Sequence, residues 1–329
     1  MTDQLTSPAT EKRLKFRALL ERPGTTVMPG GFSPLFTRMA EEIGFECFFL
    51  AGSQMSAMLY AVPDLGIIGL HDVVEHSRHA AAKSAIPVLV DADTGYGNAL
   101  NVYFAVQEFV HGGVASISLE DQEAPKKSST LAGRRCIPKA EAIGKLRAAR
   151  EAADGIDPTF VICARCDVIG AENGTFEEAL DRSVAYVAEG GADLVFLNSV
   201  QSREQLETAC REIPAPVLVI WGGSEPEPSI EEYSVLGTSV VLYPTIAASA
   251  GVQAAWDVMS ALHAEGRPAL DAWRERAAHS PWGRPNVSEL LGATRMRELE
   301  ERFLPPEIQR DYDSTFGHSP QGGISRSSS

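Results

Sequence analysis

Short apolar runs recur along the chain, each followed by a longer stretch with apolar residues at helical spacing. The runs are TTVMPG (25–30), CFFLAG (47–52), PVLVDAD (87–93), SISLED (116–121), FVICAR (160–165), LVFLN (194–198), PVLVIW (216–221) and SVVLYP (239–244). They are rich in Val, Ile, Leu and Phe, and several are apolar at consecutive positions. That is the pattern of parallel strands buried on both faces. Between them, SPLFTRMAEEIGF and FEEALDRSVAYVAEGG carry apolar residues on one helical face. They stop at Gly44 and at Gly190–Gly191, which hand each helix over to the next strand.

About eight strand–helix units predict an α/β fold, a (β/α)8 TIM barrel. A doubly wound open sheet usually has fewer strands and a Gly-rich turn after the first. Residues 252–303 read as extra C-terminal helices beyond the eighth strand, placed to pack on a neighbouring subunit. The expected organisation is a flexible N-terminus (1–11), one barrel domain including the C-terminal helices (12–300), and an extended, partly disordered tail (301–329). The low-complexity end GHSPQGGISRSSS supports the last assignment.

Composition narrows the function. With 44 acidic against 29 basic residues, net charge is −15. No Lys/Arg block supplies the basic face that nucleic acid requires. The polar N-terminus has no apolar signal core, and no apolar run reaches the roughly 18 residues of a membrane span. Five scattered cysteines, Cys47, Cys136, Cys163, Cys166 and Cys210, suit reduced thiols in a cytoplasm. Cys163 and Cys166 form a C-x-x-C, but on a strand a three-residue offset sends the two side chains to opposite faces.

A barrel puts its chemistry at the C-terminal ends of its strands. Candidate residues fall there. Asp91 and Asp93, two apart and so expected on one face of a strand, end the third run, followed by a turn with Gly95, Tyr96 and Gly97; Glu120 and Asp121 end the fourth; Arg165 ends the fifth. Carboxylates gathered at a barrel mouth suit a hard divalent cation such as Mg2+, with Mn2+ as the alternative. The planar fork of Arg165 suits a carboxylate or phosphonate, or else an ion pair with Glu120 or Asp167. Gly52 and Ser53, after the second run, offer backbone N–H groups to an oxyanion. KKSSTLAGRRCIP (126–138) reads as a cationic loop able to close over an anionic substrate. His71, His76 and His79 read as a solvated helix face outside the barrel. Ser128 and Ser129 have no histidine–acid partner nearby, which argues against a hydrolase triad.

The order PGGFSPLFTRMAEEIGFECFFLAG, VPDLGI, PVLVDADTGYGN, SLEDQ, the PKK loop, ICARCD and ALDRSVAYVAEGGADLVF resembles the isocitrate lyase/phosphoenolpyruvate mutase superfamily over about residues 12–300. The resemblance implies an enzyme acting on small 2-oxo or 2-hydroxy acids through an enolate, with Mg2+ held by Asp91, Asp93, Glu120 and Asp64. It implies substrate contacts from Gly52, Ser53, Tyr96, Arg165, Asn198 and Trp221, and a loop supplying Lys126, Lys127 and Ser128. A cytoplasmic homotetramer with exchanged C-terminal helices goes with it.

The sequence also departs from the family. Where the lyases carry a proton-donating loop cysteine, this chain has Ser128, whose hydroxyl is a far weaker acid than a thiol. A strand-six Glu reads Asn198, and the Asn and Thr expected after strand seven read Trp221 and Gly223. Trp221 is expected to fill space beside a small substrate. Three readings follow: a carbon–carbon lyase or decarboxylase, a phosphoenolpyruvate mutase or phosphonopyruvate hydrolase with P–C chemistry, and a non-catalytic metal- and ligand-binding homologue.

Overall fold

The computed structural model describes residues 7–280, 288, 290–311, 316–318 and 324–326. Eight strands fall on the eight apolar runs to within a residue or two. They are β1 (Thr26–Gly31), β2 (Phe48–Leu50), β3 (Val88–Asp91), β4 (Ser116–Glu120), β5 (Val161–Cys166), β6 (Leu194–Val200), β7 (Val217–Trp221) and β8 (Val240–Tyr243). They pair in chain order, all parallel, and β8 returns to β1 with Met28 opposite Leu242, closing the barrel. The helices are α1 (Pro8–Glu21), α2 (Pro34–Ile43), α3 (Gly52–Tyr60), α4 (Leu70–Ala82), α5 (Ala99–His111), α6 (Lys139–Asp154), α7 (Phe176–Ala188), α8 (Arg203–Glu212), α9 (Ile230–Val235), α10 (Ile246–Glu265), α11 (Arg267–Ala278) and α12 (Ala293–Phe303).

Strand alternation builds two cores. Residues such as Val88, Val90, Ile117, Ile162, Val195, Leu197, Val217 and Val219 face outward onto the helices. Met28, Phe49, Leu89, Val161, Cys163, Phe196, Leu218, Val240 and Leu242 fill the barrel. Cys163 and Cys166 belong to different cores, as the three-residue offset requires. Phe16, Leu19 and Leu20 of α1 join the inner core, so the first helix seals one end of the barrel and leaves the C-terminal end for chemistry. Each such buried side chain contributes about 1.5–3 kcal/mol. Arg13 of α1 is clamped under the barrel by Asp157 (2.6 Å) and the carbonyls of Val110 (2.6 Å) and Val114 (3.1 Å).

Helix α1 takes in residues 8–11 of the stretch expected to be flexible. Ser7 caps it, accepting from the Thr10 N–H at 3.1 Å, and Pro8 opens it with a preset φ. Residues 1–6 lie outside the described residues. Two compact units, Met1–Ser249 and Ala250–Ser329, divide the chain. In the second, α11 and α12 fall in the region predicted helical, of which residues 281–287 and 289 lie outside the described residues. The tail holds a 3-10 turn (Pro306–Ile308) and a two-stranded antiparallel ladder of β9 (Phe316–His318) and β10 (Ile324–Arg326). Residues 312–315, 319–323 and 327–329 of the segment expected to be disordered lie outside the described residues.

Candidate active site

Two carboxylates descend from the end of β3. Asp91 is the last residue of the strand and is buried. Asp93 lies beyond it, in the left-handed region (φ 49°), and its backbone N–H donates to Asp91 Oδ1 at 3.3 Å. The two therefore meet through a strained turn, not through strand alternation. Gly52, the first residue of α3, donates its N–H to Asp91 Oδ2 at 3.3 Å. A Cβ there would stand 3.0 Å from that oxygen and 3.3 Å from Asp93 Oδ1, so glycine lets the helix start rest on both carboxylates. Of the two amides expected to hold an oxyanion, that of Gly52 is already engaged. Ser53, next in the helix, has an N–H without an intrahelical acceptor.

Glu120 ends β4, paired in register with Arg165 of β5. Both its oxygens are buried without a hydrogen bond, although Arg165 Nη1 lies 3.1 Å from Oε2. Burial pushes Glu120 well above the usual carboxylate range. Burial likewise raises Asp93 to about 6, with Lys126 pulling in the other direction. The Tyr96 hydroxyl is buried without a partner; burial and then the charges of Asp93 and Asp91 hold it protonated.

The cationic loop reaches into this cluster. Lys126 Nζ lies 2.6 Å from Asp93 Oδ1 and 2.7 Å from Asp64 Oδ1, with its side chain 2% exposed. Burial works against the charge on Lys126, but Glu120, Asp91, Asp93 and Asp64 outweigh it and keep the ammonium charged. Gln122 clasps the Lys127 backbone from both sides, donating to its carbonyl (3.1 Å) and accepting from its N–H (2.9 Å). These contacts tie down the start of the loop, and the Glu123 N–H, donating to the Arg135 carbonyl at 2.8 Å, ties down its end. The loop's tip is not tied down: Ser128 Oγ faces Thr130 Oγ1 at 3.1 Å in an exposed turn. The hydroxyl expected to replace the lyase thiol is not brought to the carboxylates.

Asp167, fully buried, organises the other wall. Arg165 grips it with two contacts, Nε to Oδ2 at 2.8 Å and Nη2 to Oδ1 at 3.0 Å. Arg134 Nη1 (3.2 Å) and Asn198 Nδ2 (2.5 Å) also reach Oδ1. Burial pushes Asp167 up, but these partners, Arg165 foremost, hold it below the usual range. Arg165 therefore takes the ion-pair alternative with both Glu120 and Asp167, which fixes the plane of its fork. Behind the wall, Asp121 accepts from the Tyr186 hydroxyl (2.7 Å) and the Asp167 N–H (2.8 Å). Sequence reasoning passed over Arg134 as a site residue. It lies within the cationic loop KKSSTLAGRRCIP, whose charge was the only signal.

Trp221 does not join the site. On β7, Val217 and Val219 face the helices, and Trp221 shares their side; its indole N–H donates to the Glu225 carbonyl at 3.1 Å. The interior residue is Ile220, in register with Asn198. A one-residue shift in reading a strand end reverses which side chain enters the barrel. The next inward position is Gly222, not Gly223. A Cβ at Gly222 would lie 2.9 Å from Ser199 Cα, so glycine permits the chain leaving β7 to pass close to the end of β6. The histidines stay on α4 outside the barrel: His76 meets the Phe32 carbonyl and His79 meets Glu75.

Five carboxylates (Asp64, Asp91, Asp93, Glu120, Asp167) face three cations (Lys126, Arg134, Arg165), a formal excess of two negative charges. Among the described residues no three His, Cys, Asp or Glu side chains form a ready-made metal cage. Mg2+ does not need one, because it keeps several waters and takes one or two carboxylates directly. Oxygen-only donors, the unbonded Glu120 oxygens and the charge excess fit such an ion, with Asp91, Asp93, Glu120 and Asp64 around it.

A family model described as phosphoenolpyruvate phosphomutase matches residues 16–263. The chain is 31% identical over 293 residues to 2,3-dimethylmalate lyase of Eubacterium barkeri, covering 88% of this chain and 97% of that one. The structure is similar to a phosphoenolpyruvate phosphomutase from Streptomyces platensis subsp. rosaceus, with TM-score 0.80 and 30% identity over 89% of this chain and 99% of that one. It is also similar to a phosphonopyruvate hydrolase in complex with oxalate and Mg2+, with TM-score 0.77, 29% identity and the same coverage.

Proposed function

The chain belongs to the isocitrate lyase/phosphoenolpyruvate mutase superfamily, and from that premise we propose that it is a Mg2+-dependent lyase cleaving a carbon–carbon bond of a small 2-oxo or 2-hydroxy acid. At superfamily level the chemistry is C–C or P–C bond chemistry on small carboxylates or phosphonates. The observation that carries the finer reading is the formal excess of two negative charges in the cluster of five carboxylates and three cations at the open barrel end, Lys126 buried among them. It suits a divalent cation and, with that cation, an anionic substrate.

When bound, Mg2+ supplies Lewis-acid polarisation of the substrate's oxygens. The chain's own residues do the rest. Arg165, held flat by Asp167 and Glu120, orients a substrate carboxylate. Lys126 stabilises the negative charge that develops as the bond breaks and an enolate forms. Asp93, raised to about 6 by burial, is suited to accept a proton from a 2-hydroxyl near neutral pH. Solvent reprotonates the enolate, since Ser128 is turned toward Thr130. Lys127 remains a loop cation facing the incoming anion.

We propose a homotetramer as the assembly. Helix α10 has twenty residues of which Ala248 alone is buried, while Ile246, Val252, Trp256, Met259 and Leu262 are exposed. Such a helix suits a partner subunit. None of the helices searched is long and apolar enough to cross a membrane. The function is tested by turnover of the intact protein with Mg2+, with chelator, and as Asp93→Ala. Turnover by Asp93→Ala at the wild-type rate would remove the carboxylates from the reaction.

A further inference from the structure

The upper barrel interior is divided by chemistry. From β3 round to β6 its inward positions are Asp91, Glu120, Arg165 and Asn198. From β7 round to β2 they are Ile220, Leu242, Met28, Gly30, Phe49 and Ala51, with no hydrogen-bonding side chain. Leu218, Val240, Leu242 and Met28 are sealed in the inner core, whereas Ile220 packs on it and stays partly exposed toward the open end. Its register partner is Asn198, whose amide is committed to Asp167.

We propose that Ile220 is the specificity-determining residue, and that the substrate presents an alkyl branch to it. This rests on the lyase site described above and narrows its substrate to C-alkylated 2-hydroxy or 2-oxo acids. A carboxylate against Ile220 would lose its water and find no donor. A methyl or methylene group there gains from leaving water. One missing methyl in such a pocket shifts selectivity several-fold, and a hydrogen-bonding side chain in place of the apolar one removes the preference.

The test is calorimetry of the full chain with saturating Mg2+ and three unreactive ligands: oxalate, succinate and 2,3-dimethylsuccinate. Oxalate spans only the polar half and reports on the site itself. The wild type is expected to bind 2,3-dimethylsuccinate at least fivefold more tightly than succinate. Ile220→Asn is expected to bring that ratio to about 1 while oxalate affinity stays within twofold. Ile220→Val, which removes one methyl group and keeps the wall apolar, is expected to lower the ratio about threefold and covers the case in which the Asn variant does not fold. Failure of oxalate to bind would overturn the lyase site. Oxalate binding with a succinate preference in the wild type, or a ratio unchanged in both variants, would overturn the role of Ile220.

Discussion

Lys126 Nζ lies 2.6 Å from Asp93 Oδ1, which places a loop cation inside the carboxylate cluster at the barrel mouth. The contact has opposite consequences for metal and for rate. Lys126→Met removes a positive charge beside the cation, so Mg2+ affinity is expected to rise several-fold. Turnover is expected to fall on the order of 10²–10³-fold, because the charge that meets the enolate is gone. Calorimetry and a rate assay on one preparation separate the two. A variant with weaker Mg2+ binding would contradict this placement.

Ser128→Ala is expected to keep activity within about threefold of wild type, since the hydroxyl serves an exposed turn with Thr130. A loss of 10²-fold or more in kcat would return Ser128 to the reaction as its proton donor.

Asp167→Asn is expected to lower kcat/KM on the order of 10²-fold. It frees Arg165 and Arg134 from their shared carboxylate and leaves buried guanidinium charge poorly compensated. The same loss is expected to cost roughly 3 kcal/mol of stability, measured by denaturant unfolding. An unchanged unfolding midpoint would show that Asp167 is not the hub.

Metal affinity is expected to depend on pH. Asp93 rises from its ordinary 3.8 to about 6 through burial. Between those values the folded protein keeps a proton that the unfolded chain has released. The metal-free fold therefore loses stability as pH rises through this window, and the penalty is complete above about 6. A divalent cation needs ionised carboxylates, so its apparent affinity is expected to climb up to about tenfold per pH unit as Asp93 ionises. Mn2+ titration by electron paramagnetic resonance measures it, and a flat profile from pH 4.5 to 7 would count against it.

The far end of the barrel responds in the opposite sense. Burial pushes Asp157 up, but hydrogen bonds from Thr159, Arg13 and Thr10 hold it at about 2. Its contribution is present above pH 3.8 and is lost as pH falls toward 2. Arg13→Met is expected to flatten that part of the acid-unfolding curve and to lower stability by roughly 3 kcal/mol.

The barrel was legible because each strand is an apolar run bounded by turn residues, a signal carried locally by every segment. Asp91, Glu120 and Arg165 were legible for the same reason, since strand ends mark the mouth. What failed needed register or long-range pairing. Trp221 and Ile220 differ by one position, and only the pairing with Asn198 and Leu218's place in the inner core decide which of them enters. Arg134 lies 33 residues from Asp167 in sequence, so nothing local announces their contact. Ser128 was read from loop chemistry, while its orientation is set by a turn with Thr130.

Proton and phosphorus NMR of the intact protein with Mg2+ tests the lyase reading most directly. The substrates are oxaloacetate, 2-methylisocitrate, 2,3-dimethylmalate, phosphonopyruvate and phosphoenolpyruvate, each repeated with chelator. The expected result is Mg2+-dependent loss of a carbon-only substrate, with product signals that identify the broken C–C bond, and silence once the metal is chelated. Phosphate release or a new phosphonate signal, with the carbon-only substrates untouched, would contradict it.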